Sequence, residues 1–107
     1  MPGVSQDATY STYAHTYAQV TVTTAAQSLS ALVQAAGLPG IPTWATMAFI
    51  TPETGAIRYR CDGTAPTSSV GQPVQAQQSF PIQGATSLSA AQLIAAASTT
   101  VSIEFRG

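Results

Sequence analysis

Hydrophobic and polar residues alternate along most of this chain, and the alternation predicts strands. From Tyr17 to Thr24, Val20 and Val22 fall on one side while Thr21 and Thr23 fall on the other, the period of two that half-buried β-structure requires. In residues 45–51, Ala45, Met47 and Phe49 oppose Thr46, Ala48 and Ile50. Ile57, Tyr59 and Cys61 then oppose Arg58 and Arg60, one face core and the other wet. Phe80 and Ile82 share a side across Pro81, which limits that segment to an edge strand or a bulge. In the last strand Val101, Ile103 and Phe105 face in, with Ser102 and Glu104 out.

One segment changes period. Leu29, Leu32, Val33 and Ala36 recur at i, i+3, i+4 and i+7 behind Ser28, and Gly37 and Pro39 follow. Ser is a favoured N-cap and Gly a favoured C′ residue, so this predicts a short helix over about 29–36. A helix this short is marginal in water, and its apolar stripe must be held against the sheet. Residues 87–98 read both ways. Ala90, Ala91, Gln92 and Leu93 favour helix by propensity, yet a strand over 91–96 would complete a hairpin with the last strand through Ala97-Ser98. We expect one turn near Ser87 followed by that strand.

The connections follow from turn chemistry. Leu38 to Thr43 carries two prolines and must be a connector that delivers Trp44. Pro52-Glu53-Thr54-Gly55 predicts a four-residue hairpin loop, with strand 56–61 returning beside strand 45–51. Asp62-Gly63 stops that strand, because Asp bonds its own backbone in a turn and Gly accepts positive φ. Pro66 and Pro73 then carry the chain across the surface before pairing resumes. The expected fold is mainly β and antiparallel, with one short helix, as a single domain over 17–107 behind an N-terminal arm of residues 1–16.

That arm holds Tyr10 and Tyr13, which with Tyr17 recur at spacings of three and four, as on a helix capped by Asp7. Its tyrosines either pack under the sheet or against a second subunit, or form a stacking platform for sugar. The segment Met1 to Asp7 has neither a basic nor an apolar stretch, which speaks against a signal peptide. No apolar run approaches the roughly 20 residues of a membrane span.

Charge is sparse. Of 107 residues, 7% are charged: three Arg, no Lys, two Asp and two Glu, for a net charge of −1. Such a balance offers no footprint for nucleic acid or an anionic membrane. It also provides little self-repulsion, so we expect much of the surface to be covered by copies of the chain, as a dimer or trimer, or by a partner.

Candidate chemistry is thin. His15 is the only histidine, and no Gly-x-Ser-x-Gly elbow singles out a serine to pair with it. One His, one Cys and four scattered carboxylates do not supply metal-ligand spacing, and no phosphate loop or other cofactor motif is present. Cys61, in phase with Ile57 and Tyr59, reads as a small buried hydrophobe. Arg58 and Arg60 are the best recognition candidates, about 6.6 Å apart on one strand face. They either pair with Glu53, Asp62 or Glu104 across the sheet or meet acidic groups on another subunit. Asp62 reads as a turn-former, and Trp44 as a core or interface anchor before a sugar platform.

The segments Val20 to Leu29, Ala56 to Val74, Leu93 to Ala96 and Val101 to Phe105 resemble small structural proteins encoded in tailed-phage and prophage virion gene clusters. The specific part is a strand ending in Arg58-Tyr59, followed by Asp62-Gly63-Thr64-Ala65-Pro66-Thr67, two small residues and the Gly71-Gln72-Pro73 turn. The resemblance covers roughly residues 17–106. The tyrosine-rich segment before residue 17 and Cys61 depart from the shared pattern. The resemblance implies a β-sandwich or jelly-roll-like subunit without enzymatic activity, assembled on a virion in the host cytoplasm as a capsid decoration or cement protein or another virion component. The alternative, read from the residues, is a carbohydrate-binding module using exposed tyrosines or Trp44; a small hydrolase built on His15 comes third.

Overall fold

A computed structural model describes residues 15–107. Among the described residues the fold is mainly β, with two antiparallel sheets of four strands each and two short helices. The first sheet has the order β1-β8-β3-β6, built from β1 (His15–Val22), β3 (Met47–Pro52), β6 (Phe80–Gln83) and β8 (Thr99–Arg106). The second has the order β2-β7-β4-β5, built from β2 (Gln27–Ser28), β4 (Ile57–Arg60), β5 (Gln72–Val74) and β7 (Gln92–Ala95). Helix α1 spans Leu29–Ala35 and α2 spans Ala85–Ala90. The helix predicted to align Tyr10, Tyr13 and Tyr17 does not reach its last residue: Tyr17 lies in strand β1, paired with Glu104 of β8, while Tyr10 and Tyr13 lie outside the described residues.

Inward positions of both sheets join one apolar core. Val20 and Val22 of β1 meet Ile50 of β3 and Val101, Ile103 and Phe105 of β8, together with Ile57 and Leu93 of the second sheet, all buried. The alternation predicted for β8 is the one observed, inward residues buried and Ser102 and Glu104 half-buried. In β3 the Ala48 and Ile50 side is the buried one, and Met47 and Phe49 are half-buried on the other face. β1 begins at His15, two residues earlier than the sequence pattern suggested.

Helix α1 forms where its signals predict. The Ser28 Oγ accepts from the Ala31 amide at 3.1 Å, satisfying one of the orphan donors of the first turn. At the other end Gly37 takes φ 105°, its amide donating to the Gln34 carbonyl and that of Leu38 to the Val33 carbonyl. These two bonds make a Schellman closure, which needs a positive φ that Gly supplies without a Cβ clash. Leu29, Leu32 and Val33 are buried, holding the helix to the core.

Two predicted hairpins do not exist. β4 does not return beside β3, because β3 already has β6 on one side and β8 on the other. The segment 53–56 instead crosses between sheets: the Glu53 amide donates to the Thr100 carbonyl, and the Thr54 hydroxyl bonds that of Thr99 at 2.7 Å. Likewise β7 pairs with β2 and β4, and β8 with β1 and β3, so Ala97-Ser98 also changes sheets. The turn near Ser87 is the six-residue α2, and the strand after it lies where expected.

Candidate functional site

The structure separates the predicted interface residues onto opposite sheets. Tyr17 lies on the outer face of the first sheet, 60% exposed, its hydroxyl 3.0 Å from the Ser102 Oγ. Trp44 sits in the connector, 38% exposed, beside a groove formed by Thr16 and residues 38–43. Its backbone and ring press on Gly107, where a Cβ would come within 2.9 Å of the indole. Arg58 and Arg60 belong to β4 in the second sheet.

Around Tyr17 the register of three strands collects side chains that no sequence motif joins. β1 and β8 pair Tyr17 with Glu104, and β8 and β3 pair Glu104 with Phe49. A shallow concavity of about 350 Å³ is lined there by Tyr17, Phe49, Thr51, Ser102, Glu104 and Arg106, among others. The Arg106 guanidinium lies 5.0 Å over the Phe49 ring and donates to the Glu104 Oε1 at 3.1 Å, so the cation meets both a π-face and a carboxylate. The Glu53 carboxylate accepts from the Gln19 side-chain amide at 3.0 Å and from the Ser102 hydroxyl. These bonds, that from Ser102 foremost, hold its carboxyl below the usual range.

The second cluster is the turn after β4. The Arg60 Nε donates to the Asp62 Oδ1 at 3.1 Å and its Nη2 reaches the other oxygen, a bidentate pair. Asp62 Oδ1 also accepts from the Thr64 amide at 3.1 Å, the bond of an Asx-type turn. Arg60 and then this amide keep the Asp62 carboxyl below its usual range. Gly63 adopts φ 83°. Thr67 closes the loop, its Oγ1 accepting from the Val70 amide at 3.0 Å. Pro66 is buried beneath. The chain therefore reverses after β4 through the Asp62–Thr64 bond and the positive φ of Gly63.

Arg58 makes a different contact. Its Nη1 donates to the Gly71 carbonyl at 2.8 Å, and among the described residues it has no carboxylate partner. Of the three carboxylates considered for the two arginines, only Asp62 is used, and by Arg60; Glu53 and Glu104 serve the opposite sheet. Cys61 is half-buried against the core, and burial pushes its thiol up. The His15 side chain lies outside the described residues.

Among the described residues no three His, Cys, Asp or Glu side chains gather as a metal site would need, and no helix is long and apolar enough to cross a membrane. No protein-family model, curated protein or solved structure matches the chain. Sequence reading missed Phe49, Glu53, Ser102 and Arg106 as one cluster. Alternation placed Ser102 and Glu104 on the outer face, but only the three-strand register brings Phe49 and Arg106 to them.

Proposed function

We propose that this protein is a non-enzymatic structural subunit of a tailed-phage particle, a decoration or cement protein that works by covering neighbouring protein surface. The supporting observation is that all six charged side chains within the described residues are partnered inside the chain. Burying such a surface strips water from few unmet charges, so the desolvation cost of a protein contact is low. Uncharged threonines, serines and glutamines supply the rest. The turn after β4 is held in shape by Asp62 and Thr67, which accept from the amides of Thr64, Ser69 and Val70 within the loop. Valency multiplies whatever each contact contributes, because subunits seated on a lattice bind many shell proteins together.

The test is co-sedimentation of the purified chain with shells assembled from the major capsid protein of the same gene cluster. Saturable pelleting at a fixed ratio to the shell protein supports the proposal. Absence of binding to shells at every stage of maturation overturns it.

A carbohydrate-binding module is the second reading, and the exposure of Tyr17 beside Phe49 and the Arg106–Glu104 pair favours it. An aromatic face ringed by donors and acceptors suits a sugar. A glycan-array signal lost in Tyr17→Ala would move the function to that class.

A further inference from the structure

The two sheets end in four outer strands, and three of them are guarded. β2 has two residues. β5 has three, with Pro73 opposite Arg58; β6 has four, with Pro81 opposite Phe49. Short strands and prolines are how sheets avoid pairing with strangers. β1 has neither device. It runs eight residues in unbroken register with β8, and Thr16 to Val22 contains no charge, no proline and no glycine.

The ladder shows which groups of β1 face outward. The carbonyls of Thr100 and Arg106 accept from Glu53 and Thr46, so the even residues of β8 turn their backbone toward β3. The alternation of antiparallel pairing then directs Val101, Ile103 and Phe105 at Val20, Ala18 and Thr16. The amides and carbonyls of Tyr17, Gln19 and Thr21 are left on the open edge, and among the described residues no hydrogen bond engages them. Their side chains are all exposed on the outer face.

We propose that this edge pairs with β1 of a second copy, antiparallel about a two-fold axis through Gln19, joining two four-stranded sheets into one of eight. The inference rests on the self-associating subunit argued above and names the surface. A second copy is favoured over other occupants because the row is self-complementary: Tyr17 faces Thr21 of the other copy, Gln19 faces its own counterpart, and each narrow pair exchanges two hydrogen bonds. No like charges meet across the seam.

Sedimentation velocity on the full chain, with Thr21→Pro and Thr21→Val, tests this. The Thr21 amide points away from β8, so proline there removes an edge donor without breaking the internal ladder, and valine keeps the amide. The expected result is a species of twice the 10.9 kDa chain mass, unchanged in Thr21→Val and weakened at least tenfold in Thr21→Pro. Amide exchange on the unmodified chain gives a second readout if the proline variant fails to fold: Tyr17, Gln19 and Thr21 should exchange slowly in the dimer and fast on dilution. Association that leaves these three amides fast, or protection that persists in the monomer, overturns the edge assignment while the structural role stands. A chain that stays monomeric and also ignores capsid shells overturns both.

Discussion

Tyr59 of β4 stacks on Phe80 of β6, ring centroids 4.4 Å apart and planes within 15° of parallel. The two strands belong to different sheets, so this ring contact joins them near the end where the chain has just changed layers. Burial also pushes the Tyr59 phenol up. A double-mutant cycle with Tyr59→Leu and Phe80→Leu should give a coupling of about 1 kcal/mol by urea unfolding. Additive effects would mean the stack contributes only its area.

Gly71 takes φ 135°, and a Cβ there would lie 3.1 Å from Pro66, 3.2 Å from the Arg58 Cβ and 3.3 Å from the Tyr59 carbonyl. Both the backbone conformation and the close approach strain any side chain placed there. Gly71→Ala should cost about 2 kcal/mol in chemical denaturation, whereas Gly63→Ala, with open space around its Cβ and only its φ to strain it, should cost less. Equal costs would contradict the steric part of the argument.

The Ser28 cap carries its own test. Ser28→Ala removes the acceptor for the Ala31 amide and should lower stability by about 1 kcal/mol, with Ser28→Asp restoring most of it. Midpoints of thermal unfolding for the three proteins decide the matter.

Stability should fall in acid through Asp62 and Glu53. Both carboxyls titrate below their unfolded values, Asp62 chiefly through Arg60 and Glu53 chiefly through Ser102. A depressed folded pKa binds fewer protons in the native state, so the contribution is present above the unfolded carboxylate range and is lost as pH drops through the folded value. Unfolding free energy measured from neutral pH downward should decline across that window, and Asp62→Asn should flatten the decline. An unchanged slope in Asp62→Asn would remove the Arg60 pair from the account.

How much of this was legible beforehand differs by level. Local chemistry was: Ser28 and Gly37 delimit α1, Val101, Ile103 and Phe105 face the core, and Asp62-Gly63 turns the chain. Partnership was not. Pro52 to Gly55 and Ala97-Ser98 each mark a reversal, but a turn residue sets only its own φ and ψ. Which sheet the next strand enters depends on edges already occupied, here by β6 and β8 around β3. The outer-face cluster was hidden for the same reason. Phe49 and Glu53 are far in sequence from Ser102 and Arg106, and the two pairs meet only through long-range register.

At the centre stands self-association: a sparsely charged sheet protein whose surface is covered by further copies of itself. The mass of the purified full chain in solution, followed over rising concentration, tests that most directly. A discrete multiple of 10.9 kDa that forms reversibly is the predicted result; a mass of one chain at every concentration would contradict it.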